Sequence, residues 1–176
     1  MENFNSYCIE KRALLNNIQK IKSFIGKTKF CAVVKANAYG LGVENVCPII
    51  DSMVDFYAVI CVKEALNLRK LTNKDILILG ASDLNRINDC AKNNITIAIS
   101  TLEEVDAINR TAKLPINVHL KINSGMNRFG IKKKCELKRI LEAIKKGNKI
   151  NITGVYTHFA TKDADTPFIE KQYKTC

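Results

Sequence analysis

The stretch Phe30-Cys31-Ala32-Val33-Val34-Lys35-Ala36-Asn37-Ala38-Tyr39-Gly40-Leu41-Gly42 decides how the chain is read. Its apolar opening has the character of a buried strand, and a lone amine, Lys35, sits where that strand ends. Gly40 and Gly42 then allow a tight turn and a close approach of backbone to a ligand. An amine held among apolar groups loses hydration in its charged form, which favours the neutral nucleophile that a Schiff-base lysine needs. The ordinary alternative is a strand-end lysine whose head reaches solvent along its apolar stem.

Outward from this stretch, apolar runs alternate with helical patterns. Ser6 to Ile25 has helical spacing and stops at Gly26. Strand one ends at Lys35, and a helical pattern follows from Val43 to about Met53, with Pro48 expected to kink it or mark its true start. Further strands are expected at Asp55–Cys61, Ile76–Leu79 closed by Gly80, Ile95–Ile99, Ile116–Ile122 and Ile152–His158. Helices are expected at Val62–Leu71, from Asp83 as cap to about Lys92, from Thr101 with Glu104 as a capping box, and from about Lys133 to Lys146 with Gly147 as the stop. A last helix begins near Thr166-Pro167, proline taking the first helical position.

Strand and helix thus alternate as βα units of a parallel sheet with helices outside it. No GxGxxG fingerprint follows strand one, which favours a barrel over a doubly wound sheet. Strand five adds to this. Ile116, Val118, Leu120 and Ile122 point one way, and Asn117, His119, Lys121 and Asn123 the other. A polar inner row in a barrel needs partners, which a polar ligand above it would help supply. An edge strand with one wet face would give the same alternation.

Composition bounds the rest. The 176 residues suffice for one sizeable core, and 47% hydrophobic with 26% charged residues is ordinary for a globular protein. The N-terminus lacks an apolar signal region, and no apolar run approaches the roughly 18 residues of a membrane helix. A soluble, cytoplasmic chain is expected. The net charge of +11 raises a nucleic-acid reading, but the lysines are scattered and no aromatic residues interleave with them. A solvated lysine-rich surface, without nucleic acid or membrane as partner, is the expectation. Seven cysteines without a CxxC, and two distant histidines, fit a reducing compartment and no metal site.

In parallel barrels the working groups sit at the C-terminal ends of strands. Lys35 ends strand one, the loop Asn123-Ser124-Gly125-Met126-Asn127-Arg128 leaves strand five, and His158 ends strand six. Each has a plain alternative: a solvent-exposed Arg128, a core His158, a Tyr39 packed over the glycine turn.

Three segments carry a family resemblance. CAVVKANAYGLG (31–42) closely resembles the cofactor-lysine motif of the alanine racemases, fold-type III pyridoxal-phosphate enzymes built on a (β/α)8 TIM-type barrel. HLKINSGMNRFGI (119–131) is similar to the family's KxDTGMxRLG, and GVYTHFATKD (154–163) to its GxYTHFA. IEKRALLNN is a weaker echo of the first helix, and the resemblance runs from about residue 8 to 173. It implies that Lys35 bonds through nitrogen to pyridoxal 5'-phosphate and serves as the base on the D-alanine side. It implies that Tyr39 reaches the cofactor phosphate, that Arg128 hydrogen-bonds the ring's phenolate oxygen, and that His158 supports an arginine beneath the pyridine nitrogen. Lys121 matches a lysine that is carbamylated in some members and positions the arginine. Asn123, Ser124 and Phe129 replace the family's aspartate, threonine and leucine.

The implied activity is interconversion of L- and D-alanine for peptidoglycan, in a homodimer. The family's second base, a tyrosine of a C-terminal β-domain on the partner subunit, has no match here, and about six of eight βα units are legible. Residues 1–176 are therefore expected to be the N-terminal part of such a barrel, truncated near 176 and inactive alone. The alternative is a non-catalytic pyridoxal-phosphate-binding module.

Overall fold

The computed structural model describes residues 7–161 and 167–175. Ser6 and Thr166, the expected helix starts, and the end of the GVYTHFATKD segment lie outside these. A six-stranded, all-parallel sheet runs in chain order β1-β2-β3-β4-β5-β6. The elements are α1 (Lys11–Ile25), β1 (Cys31–Val33), α2 (Lys35–Tyr39), α3 (Val43–Ile50), β2 (Phe56–Val59), α4 (Val62–Arg69) and β3 (Asp75–Ala81). They continue with α5 (Ile87–Lys92), β4 (Ile95–Ile99), α6 (Leu102–Thr111), β5 (Ile116–Lys121), α7 (Lys134–Gly147), β6 (Ile150–Tyr156) and α8 (Pro167–Thr175). Short 3-10 turns, Asp51–Met53 and Leu84–Arg86, extend α3 and precede α5.

The sheet curls. The Tyr156 hydroxyl on β6 donates to the Leu79 carbonyl on β3 at 2.9 Å, three strands away. Strands lie about 4.8 Å apart, so in a flat sheet this gap would be about 14 Å, beyond the reach of a tyrosine. The six units therefore form a partial barrel, with β1 and β6 as the edges among the described residues. Ile116, Val118 and Leu120 of β5 are buried on its helix-covered face with Val105, Ile108 and Ile140. β5 is flanked on both sides, so its polar row faces the barrel interior and not an open edge.

Local chemistry explains most boundaries. Thr101 and Glu104 form the expected reciprocal capping box. The Asp83 side chain accepts from the Asn85 amide at 3.0 Å, and Gly26, at φ 61°, ends α1. Two glycines read as stops are something else. Gly80 lies inside β3, at a register irregularity, where a Cβ would come within 2.5 Å of the Ile60 carbonyl oxygen. Gly147 lies inside α7, where a Cβ would meet the Asn109 carboxamide, and Asn148 provides the left-handed cap at φ 57°. Pro48 does not divide its helix either: α3 runs from Val43 through it to Ile50. Strands one and six also stop short of expectation, at Val33 and Tyr156, leaving Lys35 and His158 just beyond the strand ends.

Candidate active site

Beyond Val33 the backbone takes an unusual course. Ala36, Asn37, Ala38 and Tyr39 all have left-handed dihedrals, with φ between 51° and 56°. For residues with a Cβ this conformation costs roughly 1–2 kcal/mol each. Hydrogen bonds hold it in place. The Ala38 amide donates to Val34 O at 2.9 Å, the Gly40 amide to Ala36 O at 3.0 Å and the Gly42 amide to Asn37 O at 3.0 Å. The Asn37 side-chain oxygen accepts from the Val43 amide at 2.8 Å. Sequence reasoning credited the turn to Gly40 and Gly42; those glycines, at φ 90° and 84°, only complete it. Backbone strain concentrated beside one amine is a mark of functional sites.

The turn delivers Lys35 to a cavity of about 510 Å³ that runs along the inner side of the sheet, from Cys31 and Phe56 at the strand starts to Lys35 and His158 beyond the strand ends. Lys35, Tyr39, Arg128 and His158 all line it, with Leu79 and Tyr156 among the walls. Four of the five residues singled out from sequence are thus gathered in one place. The Lys35 amine lies 5.8 Å from the centre of the Tyr39 ring, itself largely exposed. His158 is exposed on the rim rather than packed in the core, and Arg128 is exposed but faces the same opening.

Lys121 lies apart, off the cavity wall. It is 3% exposed, with its amine 4.9 Å from the centre of the Tyr156 ring and 5.8 Å from that of Phe129. Both lie within cation–π range. The Arg128 guanidinium also sits 5.8 Å from the Phe129 ring centre, so one ring serves both cations.

Asn123 shapes the loop that carries Arg128. Its side-chain oxygen accepts from the amides of Gly125 and Asn127 at 3.2 and 3.0 Å, and its amide group donates to the Asn127 side chain at 3.3 Å. Ser124 and Thr157 hydroxyls meet at 2.6 Å, and Thr157 donates to Ile122 O at 2.9 Å, tying the loops after β5 and β6 together.

The electrostatics favour an anionic guest. Partial desolvation on its cavity side lowers the His158 pKa below 6.5, and Arg128, Lys121 and Lys35 push it the same way. The imidazole is accordingly a neutral group among cations. Burial raises the Tyr156 phenol to about 12, so it stays a protonated donor to Leu79. Apolar walls from Ala58, Ile60, Leu79 and Val155 suit a flat ring, and the cations suit its anionic substituents. Among the described residues no His, Cys, Asp and Glu group is placed to hold a metal.

Sequence reasoning passed over Tyr156, Glu64 and Asn37. Tyr156 is two residues before His158 on the same strand pattern, and that period-2 spacing was the available signal. For Glu64, which accepts from the Ala36 amide, no local signal existed, since 28 residues separate them.

The family described as "Alanine racemase, N-terminal domain" matches residues 9–176. The chain belongs to the alanine racemase N-terminal domain family. An alanine racemase of Francisella philomiragia is 34% identical, over 94% of this chain and 46% of its own length. One from Listeria innocua is 36% identical, over 93% and 45%. Among solved structures, alanine racemase from Bacillus anthracis with bound L-Ala-P is similar with a TM-score of 0.89 and 35% identity, over 94% of this chain and 44% of that one. Histidine racemase from Leuconostoc mesenteroides has a TM-score of 0.90 at 25% identity, over 98% and 50%. The chain thus spans about half the length of the alanine racemases it matches, and the partial barrel agrees with the N-terminal barrel of the family.

Proposed function

We propose that this chain is the N-terminal part of a (β/α)8 barrel in a pyridoxal-phosphate-dependent racemase that interconverts L- and D-alanine. The observation that carries the reading is the gathering of Lys35, Tyr39, Arg128 and His158 around one cavity. The residues present fit pyridoxal phosphate: an amine for its aldehyde, cations for its anionic oxygens and apolar walls for its ring.

When bound, pyridoxal phosphate supplies a conjugated system that spreads the charge left when a Cα proton is removed. Lys35 contributes its Nζ, held by the left-handed turn, first as the point of attachment and then as the base that takes or returns the proton on one face. Tyr39 would hold the phosphate, and Arg128 would hold the phenolate oxygen. His158, kept neutral by its surroundings, would support the arginine beneath the pyridine nitrogen, a residue we assign outside 1–176. Lys121 is the candidate for carbamylation, in which the ammonium first loses a proton and the neutral amine then adds carbon dioxide and releases a second one. Its positive charge would then become a negative one able to pair with Arg128.

Inversion requires a second base on the opposite face. We assign that base to residues outside 1–176, on the partner subunit of a homodimer. The 176-residue chain alone is then expected not to racemise alanine. A cytoplasmic enzyme that makes D-alanine for peptidoglycan is the cellular role proposed, supported by the family and by the free, dispersed cysteines among the described residues. No helix among the described residues is long and apolar enough to cross a membrane.

The test is titration with pyridoxal phosphate, followed by visible absorbance. A saturable new band that is lost in Lys35→Ala supports the reading. An identical band in Lys35→Ala contradicts it.

A further inference from the structure

Glu64 stands at the third position of α4, where a carboxylate commonly reaches back to cap the helix start. Here one oxygen reaches back in this way and the other goes elsewhere. Oε1 accepts from the Ala36 amide at 2.9 Å, and Oε2 accepts from the Ile60 amide at 3.0 Å. The first amide immediately follows Lys35 and opens the left-handed turn; the second lies at the end of β2.

Glu104 and Glu136 occupy the same helical position on α6 and α7, yet each accepts only from residues just ahead of its own helix. Glu64 alone of the three joins two βα units. Its anchor is itself fixed, because the Ile60 carbonyl is packed against Gly80, where a Cβ would lie 2.5 Å from that oxygen. Charge-assisted hydrogen bonds to backbone amides are the stronger kind, and two from one rigid carboxylate define position as well as energy.

We infer that Glu64 is a positioning residue for Lys35: its carboxylate ties the backbone just after Lys35 to the end of the neighbouring strand and so sets where the Lys35 amine enters the cavity. The inference rests on the reading of Lys35 as the cofactor-bearing amine. It assigns Glu64 no contact with the reacting atoms. A glutamine there retains one acceptor oxygen but turns an NH2 group toward the second amide, so one of the two ties is lost.

The experiment uses the full chain and Glu64→Gln, with two measurements. Without cofactor, amide hydrogen exchange is read at Ala36 and Ile60. With pyridoxal phosphate and borohydride, the rate of pyridoxyl capture at Lys35 is read relative to capture at the other lysines. The expected result is exchange faster by about tenfold at one or both amides, matching loss of one charge-assisted bond, together with a similar loss of preference for Lys35, while unfolding stays cooperative with a midpoint lowered by no more than that one bond. Unchanged exchange overturns the inference, and so does faster exchange with an unchanged preference for Lys35, which would make Glu64 structural only. If the unaltered chain shows no preference for Lys35, the reading of Lys35 fails first, and the inference falls with it. Should Glu64→Gln not fold, Glu64→Asp, too short by one methylene to reach both amides, carries the same comparison.

Discussion

The Tyr156 hydroxyl donates to the Leu79 carbonyl at 2.9 Å across the inside of the sheet, joining β6 to β3. This chord spans the partial barrel and also presents the Tyr156 ring to the Lys121 amine, 4.9 Å away. Tyr156→Phe keeps the ring and removes the bond. Urea unfolding should register a loss of about 1 kcal/mol, and an unchanged midpoint would mean that the chord carries no weight in the curl.

His119 lies across β6 at Gly154, where a Cβ would come within 2.5 Å of its Nε2. Gly154→Ala must therefore displace the imidazole, with an expected loss of about 1–3 kcal/mol. Adding His119→Ala removes the clash, so the double variant should be less unstable than the sum of the singles. Simple additivity in unfolding measurements would argue against this contact.

The left-handed turn makes a prediction of opposite sign. Ala36 is exposed at φ 51°, a conformation that glycine adopts without a Cβ clash. Ala36→Gly should raise stability by up to about 1 kcal/mol, while the β-branched Ala36→Val should lower it. Denaturant midpoints decide this, and a Gly variant weaker than the Val variant would contradict the turn as described.

Much of this was legible from local chemistry. β4 falls at Ile95–Ile99 as expected, and the Thr101–Glu104 box opens α6, because an apolar run and a cap are both signals within a few residues. Strand ends pointed to one shared opening, and Lys35, Arg128 and His158 line one cavity, whereas Lys121 lies off its wall. What stayed hidden depends on distant partners. Gly80 answers to Ile60, and Gly147 to Asn109, so both looked like punctuation along the sequence. Ala36 carries no mark of a left-handed turn, and Asn37 only the general tolerance of asparagine for it, whereas Glu64 and Val43 help to hold it from elsewhere. Tyr156 reveals its bond to Leu79 only once the sheet curls.

Acid should weaken the fold through two histidines. Burial lowers the pKa of His119, and partial desolvation with three neighbouring cations lowers that of His158, both from 6.5. Such a group binds fewer protons folded than unfolded, so its contribution is intact above the unfolded pKa and declines as pH falls below it. The unfolding midpoint should drop between about pH 7 and pH 5.5, and His119→Asn should reduce that drop. Imidazole resonances titrating at or above 6.5 would contradict the assignment.

The most direct measurement on the central claim is borohydride reduction of the protein with pyridoxal phosphate, followed by mass mapping of the labelled peptide. A pyridoxyl group on Lys35 is the expected product. Label on a different lysine, or none at all, would contradict it.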